Sequence, residues 1–382
     1  MRGTDLNLRH LRAALAIHRH GTISGAARDV NLTQPAITQG LARLERQLGT
    51  TLFERSSGGM TPTEAAETFV PRIAAALERI ASRRVTAAQM RAFLALARAG
   101  SYAAAAKAVG TSEPSLHRAV RDLSLAVGRE LVQRRGRGVA LTSRGRALAR
   151  EFALANADIE AGLEELAAAT GRETGCIAIG AMPLCRARLL PAAIARFHAR
   201  FPDYRVVVAE GSHTELVGPL REGELDLLIG ALRDASSAPD LEQRPLFEDR
   251  PVIIARAGHP LAGTSPSPQA LAAFPWTIAA LGAPLREYWE AMFTGSGLPV
   301  PAVPVQCGSV MLIRQLMMSS DFLTLLSPDQ VAVELEAGWL TIIASAPPKI
   351  LRIIGVITRA GWQPTPLQKQ FLAELGVDAH SS

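Results

Sequence analysis

One relation within the chain constrains its folding more than any other feature: two stretches near the N-terminus repeat each other at a constant offset. The spacing from Gly21 to Gly100 also takes Ala26-Ala27 to Ala105-Ala106, Val30 to Val109 and Pro35 to Pro114. It takes Leu44 to Leu123, Gly49 to Gly128, Leu52 to Leu131, Arg55 to Arg134 and Thr63 to Thr142, with no gap. A repeat of that length is the signature of one small fold used twice. Residues 7–66 and 86–145 are therefore expected to be two copies of one unit, with 67–85 connecting them.

Each copy reads as three helices and a hairpin. Leu8, Leu11 and Leu15 share one helical face, Gly21 suits the left-handed residue past the helix end, and Thr22 can cap the next helix. The small Ala26-Ala27 pair allows a close helix crossing. Thr33 is an N-cap, and Pro35 falls in the first turn, where no hydrogen bond is lost. Ile37, Leu41, Leu44 and Leu48 mark the buried stripe of a third helix, and Leu52-Phe53-Glu54-Arg55 to Met60-Thr61-Pro62 reads as a hairpin wing. Gln34, Pro35, Thr38, Gln39, Arg43 and Arg46 are left facing outward. A short helix, a tight turn and a second helix with exposed Gln and Thr near its N-terminus form a helix-turn-helix, whose second helix enters the major groove. Gln can bond adenine bidentately, Thr can meet a thymine methyl, and Arg can reach guanine or phosphate.

Charge is divided in the same sense. Residues 1–150 hold 24 basic against 10 acidic residues, +14, while 151–382 hold 17 against 25, −8. A basic half followed by an acidic half fits a nucleic-acid-binding module joined to a solvated sensing module.

From Thr174 the pattern changes to alternating strands and helices. Cys176–Gly180, Arg205–Gly211 and Leu225–Gly230 read as strands, with helices at Leu189–Phe201 and Thr214–Arg221 between them. This order implies a parallel sheet of the doubly wound kind. A second lobe is expected from about 251 to 345, with Ile350–Ile357 crossing back to the first.

Leu32-Thr33-Gln34-Pro35-Ala36-Ile37-Thr38, Leu41-Ala42-Arg43-Leu44-Glu45, Leu48-Gly49 and Leu52-Phe53-Glu54-Arg55 together resemble the DNA-binding signature of LysR-type transcriptional regulators. Gly223–Gly230 is similar to the same family. The resemblance implies a multidomain chain: an all-α winged helix-turn-helix, here in two copies, then an α/β two-lobed effector domain like a periplasmic binding protein. The expected layout is copy 1 at 7–66, a connecting helix at 67–85, copy 2 at 86–145, a linker helix at 146–172 and the effector domain at 173–375. Its first lobe would span about 173–250 and 346–375 and its second about 251–345. The connecting helix, about Thr63–Ser82, has apolar Phe69, Ile73, Leu77 and Ile80. The resemblance also implies promoter-region double-stranded DNA and a small-molecule effector as partners, a homo-oligomer (dimer or tetramer) and no cofactor.

The copies differ where bases would be read. Copy 2 has Ser112 at the cap, Glu113 for Gln34 and His117 for Thr38, with Arg118, Arg121, Arg134, Arg135 and Arg137 around them. Copy 1, through Thr33, Gln34, Pro35, Thr38, Gln39, Arg43 and Arg55, is expected to read bases. Copy 2 would grip backbone, read a neighbouring half-site or serve as an interface. In sheets of this kind ligands sit beyond strand C-termini, near helix N-termini. That points to Met182, Pro183, Leu184 and Cys185, to Ser212, His213 and Thr214, and to Ser309 and Met311. The first of these loops lacks a hydroxyl, which permits a rather apolar ligand.

Other classes find little support. His18 and His20 at i and i+2 face apart on a helix, so no metal role is assigned. The three cysteines, Cys176, Cys185 and Cys307, have no CxxC spacing, which with the lack of a signal-like start suggests a cytoplasmic protein. No phosphate-binding, nucleophile-elbow or zinc-protease motif occurs, so no enzyme is expected. The competing reading is a solute-binding or catalytic α/β domain with non-functional DNA-binding-like appendages.

Overall fold

The structure is a computed structural model that describes residues 3–135, 138–172, 174–346 and 350–377. It divides into two compact units. The first is residues 1–175 with short pieces at 221–224 and 363–367; the second is the remainder.

In the first unit copy 1 comprises α1 (Leu8–His20), α2 (Ile23–Val30), α3 (Gln34–Leu48) and the wing strands β1 (Phe53–Ser56) and β2 (Gly59–Pro62), followed by α4 (Glu64–Ile80). Copy 2 repeats them as α5 (Ala87–Ala99), α6 (Tyr102–Val109), α7 (Glu113–Val127), β3 (Val132–Arg135) and β4 (Gly138–Leu141), followed by α8 (Ser143–Ala169). The helices start and stop where side chains meet the free backbone groups. Thr22, Thr33 and Thr63 cap one set, and Ser101, Ser112 and Thr142 cap the other. Gly21, Gly49, Gly100 and Gly128 close helices in the left-handed region, where a side chain would be strained. Even the wing anchors correspond: Thr63 Oγ1 donates to the Thr51 carbonyl at 2.8 Å, and Thr142 Oγ1 to that of Glu130 at 2.9 Å.

The most extensive contact in the chain lies between α4 and α8. They run antiparallel: Arg72 Nε meets Glu165 at 3.1 Å, whereas Arg79 Nε meets Asp158 at 2.9 Å and its Nη1 meets Glu151 at 3.5 Å. Arg72 and Glu165 are almost wholly buried. Close approach is allowed by Gly162, where a Cβ would stand 2.7 Å from the Phe69 ring and 3.0 Å from Arg72 Cβ. Phe69, Ile73, Ile80, Phe152, Ala155 and Ile159 join one core with both winged helices.

The second unit carries β5 (Gly175–Ala181), α9 (Leu189–Arg200), β6 (Tyr204–Glu210), α10 (His213–Arg221), β7 (Leu227–Ala231), β8 (Leu241–Asp249) and β9 (Val252–Arg256). Then come α11 (Pro268–Ala272), β10 (Thr277–Ile278), α12 (Pro284–Thr294), β11 (Val305–Gln306), α13 (Val310–Met318), β12 (Thr324–Leu326), α14 (Ala332–Glu336), β13 (Leu340–Ser345), β14 (Arg352–Arg359) and α15 (Pro366–Glu374). One sheet has the order β6-β5-β7-β14-β8 and another β12-β9-β13, with a small parallel β10-β11 pair beside it. β5 and β7 are parallel, as a strand-helix-strand order requires. The returning β14 runs antiparallel to both β7 and β8, so the sheet is mixed rather than parallel throughout. The second sheet is antiparallel. Chain direction there follows from crossings between lobes, which strand composition does not encode. Arg352 and the buried Asp249 pair where strands leave and re-enter the first sheet.

The α4–α8 contact makes a sharp expectation. Arg72→Ala strands a buried Glu165 carboxylate and should cost about 3–5 kcal/mol of stability. Gly162→Ala should destabilise by about 1–3 kcal/mol through overpacking, despite alanine's better helix propensity. Chemical unfolding followed by circular dichroism measures both; a neutral Arg72→Ala would show that the ion pair does not hold the helices.

Candidate DNA-reading and effector sites

In copy 1 the turn before α3 is built by Asn31, in the left-handed region at φ 54°, and by Thr33, whose hydroxyl accepts from Ala36 N at 3.4 Å. Ile37, Gly40, Leu41 and Leu44 face the core, which leaves Gln34, Pro35, Gln39 and Arg43 exposed and Thr38 half-buried. Thr38 Oγ1 donates to the Gln34 carbonyl at 3.1 Å, keeping its lone pairs and methyl available. A Cβ at Gly40 would lie 3.1 Å from the His10 ring, so glycine lets α3 settle on α1. Burial, and then the nearby Arg43 charge, lower the His10 pKa.

The wing is fixed to α3 by Glu45, which the sequence marks only as part of the family signature. Glu45 Oε1 accepts from Leu52 N at 2.8 Å and from Phe53 N at 3.2 Å. This carboxylate positions β1, and with it the exposed Arg55. Copy 2 has Ser124 there, whose hydroxyl turns back to the Val120 carbonyl. The constant offset between the copies shows this difference in the sequence as Glu45 against Ser124.

In copy 2, Ser112 accepts from Ser115 N at 3.3 Å, and Arg118, Arg121 and Arg134 are exposed. His117 sits on the outer face, but its ring stacks on Tyr102, with centroids 3.9 Å apart and planes at 20°. Copy 1 has Ile23 and Thr38 at these positions, so the stack belongs to copy 2 alone. Arg135 is described by its backbone only, and Arg137 lies outside the described residues. His18 and His20 turn to different partners, Glu67 and Asp29.

In the second unit the expected effector residues divide into two groups. Met182, Leu184 and Cys185 are buried. A Cβ at Gly230 would stand in the place of the Met182 side chain, which packs flat on β7. Cys185 Sγ donates to the Met182 carbonyl at 3.1 Å, and burial pushes its thiol up to about 12. These three side chains therefore shape the loop from inside, leaving Pro183 half-buried at its surface. Ser212, Thr214, Ser309 and Met311 are exposed and His213 is half-buried. Ser212 N and Oγ both bond Glu215 Oε2 at 2.7 Å, which lowers the Glu215 pKa. That carboxylate occupies the α10 terminus where an external anion would be expected. Ser309 instead caps α13, accepting from Leu312 N at 3.4 Å, with Met311 and Leu312 exposed beside it.

Two winged helices and a two-lobed α/β domain define a helix-turn-helix regulator with an attached sensing domain. The "bacterial regulatory helix-turn-helix protein, lysR family" matches twice, at residues 8–67 and 87–146, and the "LysR substrate binding domain" at 170–377. The chain belongs to the LysR family of transcriptional regulators. It is 31% identical to the HTH-type transcriptional regulator GalR of Pseudomonas putida over 96% of both chains, so that alignment spans both winged-helix copies. It is 33% identical to the SDS degradation transcriptional activation protein of a Pseudomonas species, over 73% of this chain and 91% of that one. A full-length OxyR variant from Pseudomonas aeruginosa has the same fold, with TM-score 0.56 and 21% identity over 76% of this chain and 94% of that one. The LysR-family regulator CbnR does so with TM-score 0.52 and 20% identity, over 76% and 97%. The relatives are transcription regulators rather than enzymes. Among the described residues no helix is long and apolar enough to cross a membrane.

Two outcomes follow from this geometry. Glu45→Ala leaves two buried N–H groups unpaired and should cost about 1.5–3 kcal/mol, read by urea unfolding, whereas Ser124→Ala should be near neutral. Cys185, neutral and buried, should resist alkylation at pH 8 until the chain is unfolded; labelling as fast as in denaturant, seen by peptide mass spectrometry, would contradict the assigned packing.

Proposed function

We propose that this LysR-type regulator reads promoter-region DNA through α3 of copy 1, under control of a small molecule held between the lobes of its second unit. The observation that carries the reading is the capped, outward end of α3, where Gln34, Gln39 and Arg43 are exposed and Thr38 lies alongside. Gln34 and Gln39 bond adenine edges, Thr38 meets a thymine methyl, and Arg43 reaches guanine or phosphate. Thr33 and Pro35 set the approach of the helix end, and Arg55 on the wing takes backbone phosphate. In copy 2, which carries Ser112 and His117 at these positions, Arg118, Arg121 and Arg134 add a second positive surface and Arg135 and Arg137 add charge next to it in the sequence, so binding weakens steeply with salt.

The effector site is assigned to Pro183, Ser212, His213, Thr214, Ser309 and Met311. Met182, Leu184 and Cys185 support it from beneath. With Glu215 already seated on Ser212, the open terminus is that of α13, flanked by apolar Met311 and Leu312. This favours a ligand with a polar or anionic end and an apolar body. Ligand binding changes lobe closure and thereby the engagement of DNA, a coupling between two distinct sites. The protein acts in the cytoplasm as a homo-oligomer.

Gel shift against duplexes from the protein's own promoter region, with excess competitor DNA, tests the reading. Sequence-specific retention is expected, and Gln34→Ala or Thr38→Ala should each remove about 1–3 kcal/mol of discrimination between cognate and altered sites. Retention no stronger than on random DNA would overturn it. Footprints with and without candidate metabolites identify the effector.

A further inference from the structure

The two winged helices are related by a pseudo-two-fold axis inside a single chain. On the constant offset, Asp158 is the counterpart of Arg79, and these two residues meet across α4 and α8 at 2.9 Å. Equivalent positions on antiparallel equivalent elements meet only at a two-fold axis, the mark of a self-complementary interface. A two-fold axis also demands reciprocal contacts away from itself, and they occur. The segment before copy 2 docks on the first helix of copy 1: Arg12 donates to Ser82 O at 2.9 Å and Arg83 O at 3.2 Å. The segment before copy 1 docks on the first helix of copy 2: Arg91, the counterpart of Arg12, bonds Asp5 at 3.1 Å. Leu6 and its counterpart Val85 are both fully buried in these docked segments.

We infer that one chain is a complete two-headed DNA reader, built to bind an inverted repeat whose two halves differ in sequence. A protein dyad is mirrored by half-sites in inverted orientation. The halves differ because the reading surfaces do. Where α3 presents Gln34, Gln39 and Arg43, α7 presents Glu113, Arg118 and a half-buried Asp122 that pairs with Arg121 at 3.7 Å. Glutamine suits adenine, while the acids suit the cytosine amino group and Arg118 suits guanine. His117, stacked on Tyr102, stands where copy 1 has Thr38, whose hydroxyl turns back to the Gln34 carbonyl. The scaffold residues that make the axis are thus paired, while the base-facing residues have diverged.

This inference rests on the reading of α3 as a base-reading helix, and the test separates the two. The full-length protein selects binding sites from a pool of random duplex DNA, and native mass spectrometry counts chains on the selected site. The expected result is two unlike half-sites in inverted orientation, with two half-sites bound per chain whatever the size of the assembly. Gln34→Ala should then relax preference in one half only, by about 5- to 150-fold, and Arg118→Ala in the other half only. A site with one kind of half, bound at one chain per half-site, would overturn the single-chain pair and leave the α3 reading intact. A pool that yields no preferred sequence would overturn both.

Discussion

The antiparallel seam between α4 and α8 is the constraint on which the DNA-binding unit depends. Each helix continues from a wing and packs on the first helix of its own copy, so fixing their crossing fixes both winged helices together. The crossing is set by shape and by charge. Gly162 removes a side chain where Phe69 must pass, and the Arg72–Glu165 pair is buried beside it. A buried ion pair adds little net stability compared with apolar packing, but one partner without the other is heavily penalised. Its effect is therefore to exclude other registers of the two helices. Among exposed pairs that argument fails, and Arg91–Asp5, about half exposed on both sides, contributes alignment more than energy.

The two copies show how one backbone is kept while its surface changes. Capping hydroxyls, left-handed glycines and the small residues of the second helix recur, because each answers a demand of backbone geometry that is the same in both. Residues that face outward from α3 and α7 answer no such demand. Glu45 and Ser124 fall between these classes. The carboxylate ties the first wing to its helix through two backbone N–H groups, and the second wing lacks that tie.

In the sensing unit, comparable loops have unlike chemistry because their interiors differ. The loop after β5 turns three of its side chains inward, and the turn before α10 satisfies its own helix end with Glu215. Of these three loops, the turn before α13 alone combines a capping serine with exposed apolar neighbours. On the proposed function, this asymmetry would orient a ligand with its polar end toward α13 and its remainder along Met311 and Leu312.

The sequence by itself determined the repeat, the helix ends and wings of its two copies, the order of strands and helices from Cys176 to Gly230, and the family. These rest on residues a few positions apart, such as Thr33 with Ala36 or Thr142 with Gly145, or on matching spacing. Tertiary structure alone decided which buried faces meet. Periodicity shows that Phe69 and Ile73 lie on an inner face, but not that the inner face of α8 covers them. It likewise cannot show that β14 returns antiparallel, that His117 rests on Tyr102, or that Met182, Leu184 and Cys185 point into the core. The physical reason is range. A cap is satisfied within one turn of its own chain, whereas each of these contacts depends on how separate elements pack, and hydrophobic pattern specifies that a face is covered without naming what covers it.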